Sequence, residues 1–262
     1  MDIQLIRNAT VKINYGGKTF LVDPFFADPY SLPAFAGKSA NPLVPLPFPI
    51  SDILQGADYI LITHLHPDHF DEKAQVNISK SKPFLVQPSD SEPLKQMEFH
   101  NLTVIENEIQ IDSIKINRVN AQHGEGKILK AMGAVSGYVL SAPEEKTLYL
   151  TGDTIWCEYV KSTLDTHRPE VVICNAGGNI FYADNHPFKQ HLALSRDYTV
   201  VMDKKQVLEM MNYMDSMKVI VTHIGALDHE TVTREQMKVY LKSKSVNMDR
   251  VFVPEDGEKI QL

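Results

Sequence analysis

The sequence predicts a mixed α/β fold in which helices cover two mainly antiparallel β-sheets. A β-hairpin pattern spans residues 10–23, strand and helix patterns alternate over 51–105, and several strand patterns follow one another over 108–152. Helices and strands then alternate again as far as residue 254. At 262 residues with 43% hydrophobic amino acids, the chain can bury one large core, and no linker-like break divides it. We therefore expect a single domain over residues 1–262.

The first half of the chain begins with the hairpin. Residues 10–15 alternate between polar and apolar side chains, Gly16 and Gly17 supply the turn, and residues 18–23 return as a second strand. The patterns predict these further elements in this half: a short helix at 51–54, strands at 59–62, 83–87 and 102–105, and a helix that opens at 91–94.

The second half carries a longer run of strands, followed by three helices. Asp203 with Gln206 forms a capping pair that predicts one helix start, and Thr233 with Gln236 predicts another. The methionines after the first of these pairs have helical spacing, which favours a buried helix face over a cofactor contact. The strands predicted here span 109–111, 114–119, 137–140, 147–150, 170–174, 219–223 and 250–254.

Residues 24–50 break every periodicity. They contain seven of the fifteen prolines together with five aromatic residues. A long irregular segment inside a compact domain is usually functional or disordered, and aromatic side chains argue against disorder because they need a surface to pack on. We interpret the segment as a lid or wall that faces the substrate. The alternative is a loop pinned to the core, or a subunit contact in a homo-oligomer.

The stretch after the strand predicted at 59–62 concentrates residue types that bind metals. His64, His66, Asp68 and His69 place three imidazoles and a carboxylate within six positions. A single His-x-His pattern arises by chance in many proteins. Burying all four groups without a cation would be costly, because neighbouring histidines cannot all be charged and a carboxylate needs a partner. The spacing therefore suggests two metal ions.

Four residues of this loop resemble the signature of the metallo-β-lactamase superfamily: His64, His66, Asp68 and His69. In that family further ligands lie at later strand ends, and this chain has a candidate after each of three later strand patterns: His123, Asp153 and His223. The resemblance implies one metal on His64, His66 and His123, a second on Asp68, His69 and His223, and Asp153 bridging both. It also implies an αββα four-layer sandwich, with the metal centre at the edge where the two sheets meet.

The resemblance implies a hydrolase. Two divalent cations can share one hydroxide as the nucleophile, because they lower the pKa of bound water from about 15.7 towards neutrality. Asp68 and Asp153 are then catalytic as well as metal-binding residues. Histidine rather than glutamate at position 66 favours hydrolysis over the oxygen-reducing di-iron branch of the superfamily. We expect zinc, and the nitrogen and oxygen ligands are also compatible with manganese, iron or nickel.

Two further features beside the metal ligands could contribute to catalysis. His229 follows the His223 loop closely, so it could donate a proton or contact the substrate, with Asp228 or Glu230 to orient it. The alternative is a helix start that is rich in acidic residues and has no catalytic role. A helix that begins at residue 154 would direct its positive N-terminus towards the metal centre.

Other polar residues near strand ends are weaker candidates for a functional role. Asp23 is either a turn residue or, by the resemblance, an acidic residue behind the metal histidines. Asn175 and the amides of Gly177 and Gly178 could polarise a substrate oxygen, although turn residues need no such role. Two histidines are left outside the metal set because they do not end a strand pattern: His186 and His191.

The substrate class is inferred from the resemblance alone. The chain looks like the superfamily branch that includes the ascorbate-phosphate lactonase, a likeness carried by residues 8–10 and 23–24 and by the Thr-His-x-His motif at 63–66. A lactone or another small cyclic ester is therefore the expected substrate, and a phosphodiester is the alternative. A metal-binding module without turnover is a third interpretation, but a structural site needs neither seven ligands nor an open coordination position.

Composition and charge disfavour several partners. The net charge of −7 and the pI near 5.8 argue against nucleic acid. Cys157 and Cys174 form neither a disulfide framework nor a thiolate metal site, and we expect both to be buried. The N-terminal sequence lacks the basic and apolar regions of a signal peptide, and no apolar run approaches the roughly 20 residues of a membrane span. We expect a cytoplasmic protein that acts on a small molecule, without a membrane or nucleic-acid partner.

Overall fold

A computed structural model describes residues 1–262 as two large sheets flanked by helices. The first half contains β1 (Asp2–Arg7), β2 (Thr10–Tyr15), β3 (Lys18–Val22), α1 (Ile50–Leu54), β4 (Tyr59–Leu61), α2 (Glu72–Asn77), β5 (Phe84–Val86), α3 (Ser91–Gln96) and β6 (Leu102–Val104). The second half contains β7 (Glu108–Ile111), β8 (Ile114–Asn120), α4 (Leu129–Met132), β9 (Ser136–Ser141), β10 (Leu148–Leu150), α5 (Glu158–His167), β11 (Val171–Asn175), β12 (Ile180–Phe181), β13 (Tyr198–Thr199), α6 (Lys204–Tyr213), β14 (Lys218–Thr222), α7 (Arg234–Ser243), β15 (Val251–Phe252) and β16 (Lys259–Gln261).

The two seven-stranded sheets have the same pairing pattern. The strand order is β16-β1-β2-β3-β4-β5-β6 in the first sheet and β7-β8-β9-β10-β11-β14-β15 in the second. In that order, the first three pairings of each sheet are antiparallel and the last three are parallel. The parallel strands arise because each is reached through a crossover that contains a helix. The expectation of mainly antiparallel sheets is therefore wrong for half of each sheet.

The side chains of the sheets face two ways and create four layers. In β4, Ile60 packs in a cluster with residues of α1, α2 and α3, while Leu61 packs in the cluster between the sheets. In β11, Val172 faces the helices of the second half and Ile173 faces the first sheet. Successive strand residues point to opposite faces, so each sheet buries one face against its partner and the other against helices. The αββα sandwich predicted from the sequence is confirmed.

Helix ends confirm some of the sequence patterns and correct others. Thr233 and Gln236 form the expected reciprocal capping box of α7. Asp203 caps α6 through two backbone amides, but the Gln206 side chain accepts from the amide of Trp156 instead of returning to the cap. The helix expected from residue 154 begins only at Glu158, so residues 154–157 connect β10 to α5. None of the helices combines the length and the apolar character needed to cross a bilayer.

Candidate metal centre

The residues that the sequence singles out as metal ligands lie together at the ends of the strands. In a first group the ligand atoms lie within 4.8 Å of one another: His64, His66 and His123. The second group, whose ligand atoms also lie within 4.8 Å of one another, consists of Asp68, His69, Asp153 and His223. All are buried except His66, which is half-buried. The structure therefore gathers all seven residues in two adjoining groups, each with the spacing of a metal site.

One loop at the end of β4 carries four of the seven residues. The backbone amides of His69 and Phe70 both donate to the carbonyl of His66, at 2.9 and 3.0 Å, and close a tight turn. The Phe70 ring is buried in the cluster with α1, α2 and α3. Asp71 caps α2 and also accepts from the amide of Phe26 at 2.6 Å. A loop held at both ends in this way keeps its ligands rigid.

Asp23 fixes the same loop from behind. Its carboxylate accepts from the amide and the hydroxyl of Thr63, at 2.8 and 2.7 Å, and lies 2.9 Å from Nδ1 of His69. The Thr63 hydroxyl oxygen in turn lies 3.1 Å from Nδ1 of His64. These contacts engage one nitrogen of each ring and leave the Nε2 atoms of His64 and His69 buried without a hydrogen-bond partner. The position of Asp23 supports its interpretation as an acidic residue behind the metal histidines.

His123 and His223 enter from separate strands of the second sheet. His123 follows β8, and its Nδ1 donates to the carbonyl of Val200 at 2.7 Å. His223 follows β14, with its Nε2 3.2 Å from Oδ2 of Asp68 and its Nδ1 3.8 Å from Oε1 of Glu230. His123 thus turns one nitrogen to a backbone carbonyl and the other to the cluster, the usual arrangement for metal-binding histidines. Nδ1 of His223 faces Glu230 without a hydrogen bond.

Asp153, which follows β10, connects the two groups. Its Oδ1 accepts from the side-chain amide of Asn175 at 2.7 Å. Its Oδ2 is 3.3, 3.5 and 3.7 Å from the Nε2 atoms of His69, His123 and His223. A single carboxylate oxygen therefore contacts members of both groups, as a bridging ligand must.

The loop after β11 supports the cluster rather than facing a substrate. The side-chain oxygen of Asn175 accepts from the hydroxyl of Thr222 at 2.7 Å, while its nitrogen is engaged by Asp153. The amide of Gly178 donates to a backbone carbonyl, and Gly177 packs against the backbone at the end of β14, where a Cβ would clash. The Asn175 side chain and the Gly178 amide are thus engaged within the protein, which argues against their polarising a substrate oxygen. The same role for the Gly177 amide stays a prediction.

Burial and neighbouring charges set the protonation of the cluster. Burial lowers the pKa of His66 to about 4 and holds the pKa values of His64 and His123 below their usual range. Burial also acts to lower the pKa of His69, but nearby carboxylates, Asp153 foremost, outweigh it and raise that pKa. Burial disfavours charge on Asp153 as well, yet His69 and the other imidazoles hold the pKa of Asp153 well below its usual value. His64, His66 and His123 are therefore neutral, the form that binds a cation, whereas the carboxylates also raise the pKa of His223, so His69 and His223 would release a proton when a cation binds.

His229 lies beside the cluster and is held by aromatic rings. Its Nε2 is 3.1 Å from the side-chain nitrogen of Asn179. The edge of Phe35 and the face of Phe181 pack against its ring, each with centroids 5.2 Å apart. Burial lowers the pKa of His229 to about 4, so the ring is neutral at physiological pH and better suited to hydrogen bonding than to donating a proton as an acid.

Neither Asp228 nor Glu230 hydrogen-bonds to His229, so the interpretation that one of them orients this ring is wrong. Glu230 accepts from two backbone amides of the loop after β14 and faces His223, and burial raises the pKa of Glu230 to about 7. Asp228 accepts instead from backbone amides of the segment 24–50. The partners of Asp228 are distant in sequence, and those of Glu230 are set by how the loop after β14 folds, so spacing alone assigns neither role.

A cavity of about 240 Å³ opens over the cluster. Its polar lining consists of His66, Asp68, His123, Asp153 and His229, and its other lining residues are Phe35, Pro67, Ala131, Met132, Phe181, Pro187 and Phe188. No lysine or arginine lines it. A larger cleft of about 550 Å³ beside α7 contains none of the seven predicted ligands. The 240 Å³ cavity is therefore the candidate substrate pocket.

The proline-rich segment 24–50 is pinned to the core and forms one wall of this pocket. Arg7 is fully buried, and its guanidinium donates to three backbone carbonyls of the segment, each at 3.0 Å. Phe35 extends from the segment into the pocket lining. Phe188, on the opposite stretch near His186, also lines the pocket, although no sequence pattern marked that stretch as part of the site.

Two stacked mixed sheets that gather histidines and aspartates at their strand ends are typical of metal-dependent hydrolases. Residues 18–224 match the family model described as the beta-lactamase superfamily domain, and the chain belongs to this superfamily.

The most similar proteins found extend this assignment over the whole chain. The UPF0173 protein YddR of Bacillus subtilis is 35% identical over 264 residues, which cover 98% of each chain. The crystal structure of a possible metal-dependent hydrolase from Veillonella parvula has a TM-score of 0.90 at 29% identity and covers 100% of this chain and 99% of its own. An isothiocyanate hydrolase from Delia radicum gut bacteria has a TM-score of 0.88 at 28% identity, with the same coverage. The protein is a metal-dependent hydrolase of the metallo-β-lactamase fold.

Proposed function

We propose that the protein hydrolyses a small, neutral and apolar electrophile at a dinuclear metal centre, within one domain that spans residues 1–262. The observation that carries this proposal is the 240 Å³ cavity over the cluster, which has apolar walls and no lysine or arginine in its lining. Apolar groups gain about 25 cal/mol per Å² when they are buried in such a pocket. An anionic substrate could be neutralised by the metal ions, but it would find no cationic side chain among the lining residues to hold it further.

The residues of the cluster fit divalent cations. The Nε2 atoms of His64 and His69 are buried without a hydrogen-bond partner, and an orphaned imidazole nitrogen is a natural metal ligand. We assign one ion to the first group and one to the second, with Asp153 between them. The mixed histidine and aspartate donors suit zinc, and they also accept manganese, iron or nickel. When bound, the ions would supply Lewis acidity and make water a stronger nucleophile at neutral pH.

The chain's own residues would prepare the substrate. The apolar walls would bind the apolar part of the substrate and exclude bulk water from the floor of the pocket. Asn175 would keep Asp153 in position between the two groups. Nδ1 of His229 is buried and has no hydrogen-bond partner, so it is free to contact a polar atom of the substrate while Asn179 holds the ring.

Two substrate classes satisfy these requirements. Lactones are the class suggested by the resemblance to the lactonase-like branch. Isothiocyanates are suggested by the similar solved protein whose name states that activity, at 28% identity over the whole chain. In that reaction water adds to the carbon of R–N=C=S, and the C–N bond then breaks to give an amine and carbonyl sulfide. A phosphodiester has less support because only the metal ions, and no cationic side chain, would face its charge.

A turnover panel on metal-reconstituted protein tests this proposal. The panel contains benzyl isothiocyanate, γ-decalactone and bis(4-nitrophenyl) phosphate, each assayed with and without a chelator. We expect at least one neutral substrate to be hydrolysed about tenfold or more faster than the phosphodiester, because a pocket that leaves a polar group unpaired discriminates strongly. Activity should disappear with the chelator and return with zinc. Preference for the phosphodiester would contradict the pocket argument, and bound metal without any turnover would favour a non-catalytic metal-binding module.

A further inference from the structure

Asp228 holds a ring of backbone amides in the segment 24–50. Its carboxylate is buried and accepts from four amides at 2.8–3.3 Å: those of Phe35, Ala36, Lys38 and Ser39. The side-chain nitrogen of Asn41 is a fifth donor at 3.0 Å, and its oxygen accepts from the amide of Asp228 at 2.8 Å. One side chain therefore satisfies most of the backbone donors in this turn, which would be costly to leave unpaired.

Gly37 makes this convergence possible. Its φ of +67° turns the chain between Ala36 and Lys38, so that amides on both sides of the glycine face the same carboxylate. The space that a Cβ of Gly37 would occupy is filled by the side chain of Asn185, which donates to the carbonyl of Ala36 at 2.8 Å. The turn is therefore held from two sides, by the carboxylate and by Asn185.

Phe35, the first residue of the ring of amides, also lies in the substrate pocket. Phe35 lines the cavity, and its ring meets that of His229 edge to face, with centroids 5.2 Å apart. Asp228 anchors the Phe35 backbone. The next residue in the chain, His229, supplies the ring against which Phe35 packs. No other charged side chain accepts a hydrogen bond from the amide of Phe35.

We propose that Asp228 is a positioning residue for substrate specificity. Through the ring of amides it sets Phe35 against His229 and thereby fixes the wall that receives the apolar part of the substrate. This inference rests on the proposed function, because it names the device by which the same pocket selects apolar groups. Asp228 itself does not line the cavity.

The test compares selectivity in a double-mutant cycle. Asp228→Asn, Phe35→Ala and the double variant are assayed with benzyl and methyl isothiocyanate, or with a phenyl-substituted and an unsubstituted lactone if lactones are the substrates. Asp228→Asn should reduce the preference for the aromatic substrate by about tenfold, mainly through KM, and leave kcat for the small substrate nearly unchanged. In the Phe35→Ala background, Asp228→Asn should change the selectivity little further, because the effects of mutations at coupled residues are not additive.

A matched control and a second variant test whether the change in selectivity depends on the ring of amides. Asp28 is an exposed carboxylate of the same segment that pairs with Lys73, so Asp28→Asn should leave selectivity unchanged. If Asp228→Asn does not fold, Gly37→Ala disturbs the same ring of amides without altering the carboxylate and should shift selectivity in the same direction. Unchanged selectivity in a folded Asp228 or Gly37 variant, or equal losses on both substrates, would overturn the inference.

A binding measurement separates this inference from the proposed function. Benzyl alcohol is titrated into the zinc-reconstituted protein and followed by ligand-observed NMR, which needs no turnover. We expect weaker binding in Asp228→Asn and Phe35→Ala, and unchanged binding in Asp28→Asn. If no electrophile is hydrolysed but this pattern is found, the proposed function fails and the role of Asp228 stands. If binding is the same in all four proteins, the role of Asp228 fails.

Discussion

The two sheets share one pairing pattern, but they supply the candidate metal centre in different ways. The first sheet contributes four residues from a single loop after β4, and Asp23 fixes that loop from behind. The second sheet contributes three residues from three strand ends, each with its own partner in the protein. Each group takes ligands from both sheets. A bound ion would therefore join the two sheets. Disturbances of the first-sheet loop should reach both groups, whereas in the second sheet only Asp153 contacts both.

The largest effect is expected where the two contributions meet, at Asp153. Asp153→Asn should lower hydrolysis by about 100-fold or more, because it removes the carboxylate that contacts both groups and with it much of the charge stabilisation. Metal affinity should fall at the same time, with the fold largely intact by circular dichroism. Asp165→Asn, an exposed carboxylate on α5 that accepts from Tyr213, is the matched control and should behave as the parent protein. Full activity in Asp153→Asn would show that the residue does not bridge.

Disturbing the first-sheet loop should weaken the binding of both ions, whereas removing His223 from the second sheet should weaken the binding of one. Asp23→Asn removes the support of Thr63 and His69, so we expect a loss of about 10–100-fold in affinity for both ions. His223→Ala should instead reduce the bound metal from about two ions to about one per chain. Equilibrium dialysis with elemental analysis measures both. Loss of a single ion in Asp23→Asn would contradict the shared role of the first-sheet loop.

Metal removal should loosen the contact between the sheets. Because ligands of each group lie on both sheets, metal at 100 to 1,000 times its Kd should add about 3–4 kcal/mol per bound ion to the free energy of unfolding. Urea unfolding of metal-loaded and chelator-treated protein measures this difference. Asp153→Asn should show a smaller gain from metal than the parent, and an equal gain would contradict the bridging role.

The smallest effect is expected at a strand end of the first sheet that carries no metal ligand. After β5, the Gln87 side chain donates to Asp90 and accepts from the hydroxyl of Ser136 in the second sheet. This hydrogen-bonded contact joins the sheets without a cation. Burial raises the pKa of Asp90 to about 6, despite the hydrogen bonds from Gln87 and Ser89.

The raised pKa of Asp90 predicts a pH-dependent contribution to stability. Between the unfolded value of about 3.9 and a folded value of about 6, the native state holds a proton that the unfolded state releases, so stability contributed by Asp90 is lost as pH rises through this window. Asp90→Asn should remove that loss. The free energy of unfolding of the variant relative to the parent should therefore rise by about 1–3 kcal/mol from pH 4 to pH 7. A constant difference across that range would show that Asp90 titrates normally.

The contrast between the sheets also explains which parts of the site can be predicted from the sequence. His64, His66, Asp68 and His69 are close in sequence and follow a buried strand pattern, so local spacing suffices to find them. His123, Asp153 and His223 can be predicted because each directly follows a strand pattern. Strand ends lie at the rim of a sheet, so ligand residue types at those positions are informative even when the strand partners are unknown.

The remaining parts depend on contacts that no local pattern encodes. The parallel half of each sheet was missed because patterning identifies strands but does not pair them. The role of Glu230 behind His223 was missed because spacing suggested that it faced His229. The wall formed by segment 24–50 is predicted from the sequence, but the Phe188 side of the pocket is not, because Phe35 and Phe188 line one cavity only after distant segments pack together. Asn175 was assigned to the substrate because its two hydrogen-bond partners, Asp153 and Thr222, come from other strands.

Two ions bound at the two groups would share Asp153. Anomalous diffraction from crystals of the zinc-reconstituted protein, collected on both sides of the zinc absorption edge, locates them. We expect two anomalous peaks, one among His64, His66 and His123 and one among Asp68, His69 and His223, with Asp153 in contact with both. A single peak, or zinc bound away from these residues, would contradict this expectation.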